Sequence, residues 1–486
     1  MQCLKKFIYV VQNKSRYYNR INPIFRKREC AVLKFVHRFQ HDSNVELEGY
    51  GEDEEEKDIY KNMSQEYLGI ASGGHKVFII QPYIKWGRDK KTNTTPTLQL
   101  EEAVALIKTL PNWSIAETRL VPLLSLKKKQ LVGSGTLETL KRDIHRVNAT
   151  AMFVSTNLLK FVQMAELQAA FWVPVYDRYS IVIHIFREHA KTPEAKLQVA
   201  LAEIPYIKKK MMELTTNHGG RINITERCKL MLERREKRIR NTLQKLREHR
   251  KLIKNQREKY GFPSIAVVGY TNAGKTCLIK ALTGDASMQP ENKLFATLDT
   301  TVHQGFLFNT LKVLYVDTIG FIQDVPDTLI EPFKVTLEDA INADIIIHVF
   351  DISHPDVKAQ VQHIQETIKP MIGENKLVIN VANKCDVIGK DTNERVEIPE
   401  DTFVVSATAL TGIDLLRLKI EKEIISAANL ISKRVRLEAG SNIVSWFYKE
   451  ATVTSVETDP ENPQYLVMDV IMSHGAFHRL KKLSKQ

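Results

Sequence analysis

Short apolar runs separated by polar or glycine-bearing segments mark the second half of the chain. The runs 265–268, 313–316, 377–382 and 403–405 are rich in valine, isoleucine and leucine and have the length of buried strands. Such runs between helical segments are typical of an α/β fold with a mainly parallel sheet. We therefore predict an α/β protein in which a domain over residues 261–430 contains these four strands.

A second alternating pattern precedes that domain and predicts an N-terminal α/β domain over residues 75–191. Strands are expected at 77–80, 116–124, 151–154 and 180–186, and helices at 100–110 and 136–147. Thr136 is the expected N-cap of the second helix. This region has no glycine-rich phosphate loop, so we interpret its strand residues as core and its role as docking.

A pair of long helices is predicted over residues 192–260. Thr192 and Pro193 are a helix start signal, and the segment 217–220 interrupts the helical pattern. A second helix is expected from Thr225 to Lys259. Its apolar positions repeat every seven residues, with one further member on the same face, which predicts a hairpin packed like a coiled coil; they are Leu232, Ile239, Leu243, Leu246 and Ile253.

Charge points to a large anionic partner. The 486 residues, expected to form two to four domains, carry a formal net charge of +13. Between Glu226 and Lys259 there are fourteen lysines and arginines against five glutamates. A solvated helix face is one interpretation, and contact with nucleic-acid phosphates is the one that we favour.

The two ends of the chain differ in composition from the middle. Residues 1–40 carry ten basic residues and one acid, Glu29, which is typical of a mitochondrial presequence over residues 1–45; a basic nucleic-acid-binding arm is the alternative. Residues 46–74 are expected to be an acidic linker. Residues 431–486 are expected to form a small α+β domain, whose lysines Lys481, Lys482 and Lys485 contact solvent or, alternatively, RNA. No apolar stretch reaches the roughly 18 residues that span a bilayer.

A G-x-x-x-x-G-K-T sequence directly after the run 265–268 predicts a phosphate-binding loop. Its glycines let backbone N–H groups surround phosphates, Lys275 can reach the outer phosphates, and the Thr276 hydroxyl can bind Mg²⁺. The helix that follows adds the positive end of its dipole. The loop comprises Gly269, Tyr270, Thr271, Asn272, Ala273, Gly274, Lys275 and Thr276.

Three further motifs follow the other strand-like runs in order. A D-x-x-G sequence places a carboxylate near Mg²⁺ and a flexible backbone near the terminal phosphate; it comprises Asp317, Thr318, Ile319 and Gly320. An N-K-x-D sequence selects guanine, because its Asp carboxylate accepts two bonds that adenine does not offer; it comprises Asn383, Lys384, Cys385 and Asp386. The S-A-x segment Ser406, Ala407 and Thr408 matches a guanine-contact loop. Together these motifs predict a domain that binds GTP and Mg²⁺.

The phosphate loop, the segment 294–299 and the segment 317–322 together resemble the HflX family of translational GTPases. Asp177–Arg178 and the segment 194–199 are also similar to that family, and the resemblance covers about 75 to 430. With the basic N-terminus, the chain resembles the mitochondrial branch. The resemblance implies a monomeric GTPase that binds the large ribosomal subunit and its rRNA, splits ribosomes, and is linked to late large-subunit assembly.

The resemblance also implies a switch segment that contacts GTP; it comprises Phe295, Ala296, Thr297, Leu298 and Asp299. Thr297 would be the second Mg²⁺ ligand beside Thr276, although spacing alone leaves Thr300 and Thr301 as candidates. Asp317 would hold the metal through water. Asn272 matches an asparagine that binds K⁺ in related GTPases, so K⁺ is a candidate cofactor.

Two departures from the family pattern change what is expected. The hairpin loop of the family usually has a Gly-Pro-Gly-Glu-Thr-Gln-like sequence, whereas residues 219–226 here read Gly-Gly-Arg-Ile-Asn-Ile-Thr-Glu. Phe321, which follows the D-x-x-G motif, cannot orient water, so slow intrinsic hydrolysis is expected and no general base is assigned.

The sequence therefore predicts a P-loop GTPase domain preceded by an α/β domain and a basic helical hairpin. We expect a factor that splits and recycles ribosomes in the mitochondrial matrix, with the cytoplasm as the alternative compartment. A GTPase confined to large-subunit assembly, or a switch that binds a protein or an anionic membrane, are the alternative functions.

Overall fold

The computed structural model describes most of the chain from residue 54 to residue 483. The described residues are 54–68, 74–87, 90, 94–217, 222–260, 262–291, 293–295, 297–298, 300–308, 310–322, 329, 342–368, 372, 376–388, 399 and 401–483. The predicted presequence, Ala296 and Asp299 of the predicted switch segment, and Lys485 lie outside them.

Four parallel strands form the sheet of the N-terminal domain, in the order β2-β1-β3-β4. Val77, Phe78, Ile79 and Ile80 are consecutive and all buried, so packing covers both faces of the central strand. The elements up to the end of this domain are α1 (Glu54–Leu68), β1 (Lys76–Ile84), α2 (Pro96–Thr109), β2 (Ser114–Leu123), α3 (Ser134–Arg146), β3 (Ala151–Val154), α4 (Phe161–Phe171), β4 (Val175–Tyr176) and α5 (Arg178–His189).

The predictions for this domain succeed for three strands and fail for the fourth. The segment 180–186, predicted as a strand, is the middle of helix α5. Asp177 begins this helix because its side chain accepts a hydrogen bond from Ser180 N. Every residue from Arg178 to Phe186 is buried, so the helix lacks the polar face that would have shown a helical period. The predicted N-cap Thr136 is also wrong, since α3 begins at Ser134 with Gly133 at the N-cap.

The acidic segment before the sheet contains a helix, which corrects the predicted linker. Helix α1 begins at Glu54 and packs against the hairpin helices α6 (Pro193–Asn217) and α7 (Ile222–Tyr260). Glu56 forms a 2.6 Å ion pair with Arg238, and the Arg235 guanidinium lies 3.8 Å from the centre of the Tyr60 ring. Acidic and aromatic side chains of α1 therefore cover part of the basic helix.

The two long helices form the predicted hairpin. Thr192 accepts a hydrogen bond from Ala195 N at the start of α6, as the sequence predicted. Helix α7 begins at Ile222, so Thr225 lies inside its first turn and not at its N-cap. Leu232, Ile239 and Leu243 of the predicted seam are buried, and they join the two helices.

A six-stranded sheet forms the third region, in the order β10-β9-β8-β5-β7-β6. The four strands predicted from apolar runs are β5, β7, β9 and β10, and all of them run parallel; β6 pairs antiparallel with β7 at the edge. The elements are β5 (Ser264–Gly269), α8 (Lys275–Thr283), β6 (Thr301–Leu307), β7 (Leu311–Asp317), β8 (Ile345–Asp351), α9 (Val357–Ile368), β9 (Leu377–Asn383), β10 (Phe403–Val404) and α10 (Ile413–Ala427).

The C-terminal region is a small α+β unit. Its three antiparallel strands have the order β11-β13-β12, and two helices pack on one face over a core that includes Phe447 and Met468. The elements are β11 (Leu430–Glu438), α11 (Asn442–Glu450), β12 (Thr452–Thr458), β13 (Tyr465–Ser473) and α12 (His474–Leu483). Across the described part of the chain, no helix is both long and apolar enough to cross a bilayer.

Candidate nucleotide site

The loop between β5 and α8 has the geometry of a phosphate cradle. The backbone of Gly274 has φ +88°, and a side chain there would place Cβ 2.3 Å from Asn383 Nδ2, so only glycine fits. Lys275 Nζ donates to the carbonyl oxygens of Gly269, at 3.3 Å, and Tyr270, at 2.9 Å. The loop and the first turn of α8 therefore surround a site where backbone N–H groups and one ammonium can meet an anion.

Lys275 and Asp317 are two opposite charges buried at this edge of the sheet. Lys275 is only 7% exposed, and its burial lowers the pKa of the ammonium to about 8, although Asp317 opposes that decrease. Burial likewise raises the pKa of the Asp317 carboxyl, against the effects of Lys275 and of two threonine hydroxyls. An anionic ligand would stabilise the charged form of Lys275.

Three side-chain oxygens converge beside the phosphate cradle. The hydroxyls of Thr276 and Thr297 donate to Asp317 Oδ2 at 2.6 Å and 3.2 Å, and they lie 3.3 Å from each other. Asp317 Oδ1 is buried and has no hydrogen-bond partner among the described residues. Hard oxygen donors are what Mg²⁺ prefers, so these residues fit a magnesium ion, which would neutralise phosphate charge when bound.

The position of Thr297 separates the three threonines that spacing left open. Thr297 reaches both Thr276 and Asp317, whereas the Thr301 hydroxyl pairs with His303 Nε2 at 3.0 Å at the start of β6. Thr300 has no described contact with Thr276 or Asp317. The geometry therefore favours Thr297 as the second metal ligand.

The D-x-x-G segment is attached directly to the phosphate loop. Thr271 N donates to Phe321 O at 2.7 Å, and Phe321 N donates to Gly269 O at 3.1 Å. The Thr318 hydroxyl donates to Val267 O at 2.8 Å, which fixes the segment to β5. A ligand that moves the phosphate loop must therefore also affect the D-x-x-G segment, and a ligand that moves the D-x-x-G segment must affect the loop.

The base-recognition side is organised by one buried amide. Asn383 Nδ2 donates to Ala273 O at 2.9 Å, and its Oδ1 accepts from Ala407 N at 3.0 Å. This single side chain joins the phosphate loop to the S-A-x loop. Asp386 is exposed and lines the open pocket, where its carboxylate can meet the edge of a guanine base.

The S-A-x loop is held by its own hydroxyls. Ser406 Oγ lies 3.1 Å from Thr408 Oγ1 and accepts from Ala409 N at 3.0 Å. Cys385 N donates to Val405 O at 3.2 Å, so the loop is also fixed to the N-K-x-D segment. These bonds present Ala407 and Thr408 to the pocket.

All four motifs border one pocket of about 340 Å³. The predicted residues that line it are Thr271, Asn272, Gly274, Lys275, Thr276, Phe295, Thr297, Gly320, Asn383, Lys384, Asp386, Ala407 and Thr408. Six other predicted residues are buried and do not line it; they are Tyr270, Ala273, Asp317, Thr318, Ile319 and Ser406. Sequence reasoning missed Cys277, Pro290, Glu291, Lys293 and Val387, which also line it. These residues belong to no motif, so only the spacing of the flanking segments could have indicated them.

Asp351 belongs to none of the motifs but contacts one of them. It ends β8, opposite Asn383 of β9 in the sheet register, and its Oδ2 lies 2.8 Å from Lys384 Nζ. Its Oδ1 accepts from Ser353 N and Oγ. A polar residue directly after the strand-like run 345–350 is the signal that could have indicated it. Asp351 positions the lysine of the N-K-x-D motif.

The predicted switch segment contacts the N-terminal domain through Phe295. The Phe295 ring meets the Phe186 ring of α5 edge to face, with 4.9 Å between centroids, and both rings are buried. Phe295 also lines the pocket and has φ +53°, a left-handed conformation that is costly for a phenylalanine. The packing of the two domains thus holds one wall of the nucleotide pocket.

Two protein-family models match the chain. One, described as "50S ribosome-binding GTPase", matches residues 264–384, and the other, described as "GTP-binding GTPase N-terminal", matches residues 97–187. They correspond to the six-stranded region and to most of the N-terminal domain.

The chain is also similar to curated proteins over most of its length. It is 39% identical to GTP-binding protein 6 of Homo sapiens, over 89% of this chain and 87% of that protein. It is 38% identical to the Xenopus laevis protein of the same name, over 89% of this chain and 83% of the relative. It is 34% identical to GTPase HflX of Caldanaerobacter subterraneus, over 68% and 79%.

Solved structures include a GTP-binding protein from Sulfolobus solfataricus in complex with GDP. The chain is 25% identical to it, over 73% of this chain and 99% of that one, with a TM-score of 0.39.

Proposed function

Because this chain belongs to the HflX family of GTPases, we propose that it uses GTP to control binding to the large ribosomal subunit and that it splits ribosomes for recycling. Nucleotide binding and hydrolysis follow from the family and the P-loop domain. One model that the chain matches is described as a 50S ribosome-binding GTPase, which supports a ribosomal partner.

The observation that carries the proposal is the basic face of α7. Within residues 226–248, where the structure describes the side chains of this helix, six basic side chains are exposed, and α1 covers only part of the helix; they are Arg227, Lys229, Arg234, Lys237, Arg240 and Lys245. Glu236 neutralises some of this charge, since it pairs with Lys208 and Arg240. The positive charge of the exposed Lys229, Arg234, Lys237 and Lys245 suits the phosphates of rRNA.

The GTP-dependent step is proposed to act through the switch segments. Thr297 and the D-x-x-G segment would close on the terminal phosphate and Mg²⁺ and be released after hydrolysis. Since Phe295 contacts Phe186 of the N-terminal domain, this change would reach the domain that holds the subunit. GTP binding would then drive splitting, and hydrolysis would reset the factor.

The test is GTP hydrolysis by the full chain with and without mitochondrial large subunits. We expect stimulation of at least about tenfold, which a triple charge reversal, K229E/K237E/K245E, should remove. The matched control reverses three exposed lysines elsewhere, K141E/K422E/K449E, and should keep the stimulation. An equal rate of GTP hydrolysis with and without large subunits would contradict the proposal and favour a switch that binds a protein or a membrane.

Splitting is distinguished from assembly by two sedimentation experiments. A non-hydrolysable GTP analogue should support the dissociation of joined ribosomes, and its complete failure would contradict the proposed order of steps. Depleted cells should accumulate joined ribosomes; immature large subunits in their place would show the assembly role.

Two finer points belong to the same proposal. A fusion of residues 1–45 to a fluorescent protein should enter mitochondria, whereas a cytoplasmic fusion would point to the other compartment. Asn272 lines the pocket and matches an asparagine that binds K⁺ in related GTPases. K⁺ should therefore support faster hydrolysis than Na⁺, and the Asn272→Gly variant should lose the difference.

A further inference from the structure

The edge of the N-terminal sheet where β1 and β2 end carries a second cationic surface. The register places Ile84 beside Leu123, so the two following segments leave the sheet side by side. We call residues 85–87, 90 and 124–129 the Trp86 edge. In open α/β sheets the carboxyl ends of the strands are the usual place for ligands.

Large apolar side chains on this edge are open to solvent. Trp86 is 83% exposed and Leu124 is 83% exposed, and Leu126 is exposed as well. A tryptophan with so much free surface does not contribute its ring to the core. Its two faces are available to a flat partner.

Positive charge lies on the same edge of the sheet as this tryptophan. Five exposed lysines belong to the edge, and none of them is within salt-bridge distance of a carboxylate in the parts of the chain described above; they are Lys85, Lys90, Lys127, Lys128 and Lys129. Exposed lysines without partners are suited to bind a polyanion.

The backbone of the lysine-rich loop is held firmly by α4. Gln163 Nε2 donates to Leu126 O at 3.0 Å and to Lys128 O at 2.6 Å. Lys160 Nζ donates to Lys127 O at 2.7 Å. The three consecutive lysines are therefore presented by an ordered loop, which lowers the entropy cost of binding.

We propose that the Trp86 edge binds single-stranded RNA, with a base stacked on Trp86 and phosphates on the lysines. Aromatic stacking beside lysines is the usual means of binding single strands without reading their sequence. An anionic membrane would also attract the lysines. However, the edge offers three apolar side chains against five cations and has no amphipathic helix, so it favours a phosphate polymer with stacking bases. This site is separate from α7 and extends the proposed ribosomal role.

The test measures binding of the full chain to a fluorescein-labelled uridine oligonucleotide of about 15 nucleotides by anisotropy. Trp86→Ala should weaken binding at least about fivefold, and Trp86→Phe should recover part of the loss, because stacking is worth about 1–3 kcal/mol per base. The matched control is Trp172→Ala, since Trp172 is 84% exposed at the other end of α4. It should bind as the unmodified chain does.

The contribution of Lys127, Lys128 and Lys129 is measured through the salt dependence of oligonucleotide binding. The triple variant K127Q/K128Q/K129Q should reduce the slope of log K against log salt by about 2, at roughly 0.7 for each lost phosphate contact. Equal oligonucleotide binding by the Trp86→Ala and Trp172→Ala variants would overturn the proposal. Trp86-dependent flotation with phosphatidylserine vesicles, without oligonucleotide binding, would overturn it in favour of a membrane.

Failure of the proposed RNA site can be distinguished from failure of the proposed ribosomal function. Loss of oligonucleotide binding in Trp86→Ala can be compared with subunit-stimulated hydrolysis in the same variant. If no oligonucleotide binds while large subunits still stimulate hydrolysis, the Trp86 edge is wrong and the ribosomal role stands. If the oligonucleotide binds but subunits do not stimulate, the ribosomal role is wrong.

Discussion

Two sheets in this chain, one parallel and one mainly parallel, each have a buried aspartate and a buried lysine near the carboxyl ends of their strands, but with different results. In the six-stranded sheet, Asp317 has one oxygen without a partner among the described residues, and Lys275 faces the open pocket. In the N-terminal sheet, Asp177 accepts from Ser180 N, Leu159 N and the Tyr206 hydroxyl. Asp317 and Lys275 therefore retain bonding capacity for a ligand, whereas protein groups already occupy the oxygens of Asp177.

The difference teaches how to separate a functional buried charge from a structural one. Lys210 Nζ lies 3.8 Å from Asp177 and donates to Leu159 O at 2.5 Å. Burial lowers the pKa of Lys210, and Asp177 opposes that decrease, as Asp317 does for Lys275. The pKa shifts thus look alike, and only the unfilled bonding capacity and the adjoining pocket mark the nucleotide site.

The sharpest test of this comparison exchanges each lysine for alanine. Lys275→Ala should reduce GTP hydrolysis by at least about 100-fold, because it removes the cation that faces the phosphates. Lys210→Ala should instead lower the free energy of unfolding by about 3 kcal/mol, since it leaves Asp177 buried without its cation. Turnover of GTP and urea unfolding measure the two effects. A Lys210→Ala variant with full stability and poor turnover would show that the distinction is wrong.

Glycine substitutions give a second contrast between the sheets. At Gly269 a Cβ would lie 2.1 Å from Val349 O, whereas at Gly133, in the loop after β2, nothing lies within 4 Å. Gly269→Ala should therefore destabilise the chain by about 2 kcal/mol or more, because the clash involves backbone of the neighbouring strand. Gly133→Ala should change stability by less than about 1 kcal/mol, because alanine is a poorer N-cap of α3 but also lowers the entropy of the unfolded chain. Thermal unfolding of both variants measures the difference, and equal effects would show that β5 can move to accommodate a methyl group.

Acid should destabilise the N-terminal sheet through a buried histidine. Burial lowers the pKa of His184 to about 4, and its ring packs against Trp113 and Tyr176. The unfolded chain binds a proton near pH 6.5, so stability is full above that pH and is lost as pH falls towards 4. Between pH 7 and pH 5 the loss from this residue should be about 2 kcal/mol. Urea unfolding at pH 7 and at pH 5 measures this loss. The free energy of unfolding should depend less on pH in the His184→Phe variant.

The contact between the two regions should have the smallest effect. Phe186→Leu removes the edge-to-face contact with Phe295 and should speed the release of a fluorescent GDP analogue about threefold, because such a pair is worth about 1 kcal/mol. The control is Phe171→Leu, which changes a buried phenylalanine that packs in the N-terminal core. Faster release from both variants would mean that general loosening, not the Phe295 contact, controls the nucleotide.

Local pattern was enough to predict four of the six strands of the nucleotide domain, but it missed β6 and β8, and it predicted only part of the N-terminal domain. The strands β5, β7 and β9 have apolar runs that end in motif residues, so periodicity and chemistry gave the same prediction. Helix α5 has no exposed face, and without a polar stripe its sequence has the pattern of a strand. Helix α1 was missed because its acidic residues indicated solvent, whereas Glu56 pairs with Arg238 of α7.

Within the site, the motif residues were predictable because each occupies a fixed place after a strand. Asp351 and Phe186 were not, because their roles depend on partners, Lys384 and Phe295, that lie far away in sequence. A contact of this kind depends on the packing of whole elements. The position of Asp351 directly after an apolar run could have marked it as a candidate, but its pairing with Lys384 could not be read from the sequence.

The junction between α7 and β5 has a mechanical consequence. Only residues 261–263 separate the two elements, so there is almost no slack between the helix and the central strand beside the nucleotide. A straight helix of 39 residues is about 58 Å long, and a tilt of about 1° at its base would displace the far end by about 1 Å. The helix is thus a lever that could amplify small rearrangements near the phosphates into ångström-scale movements at the hairpin tip.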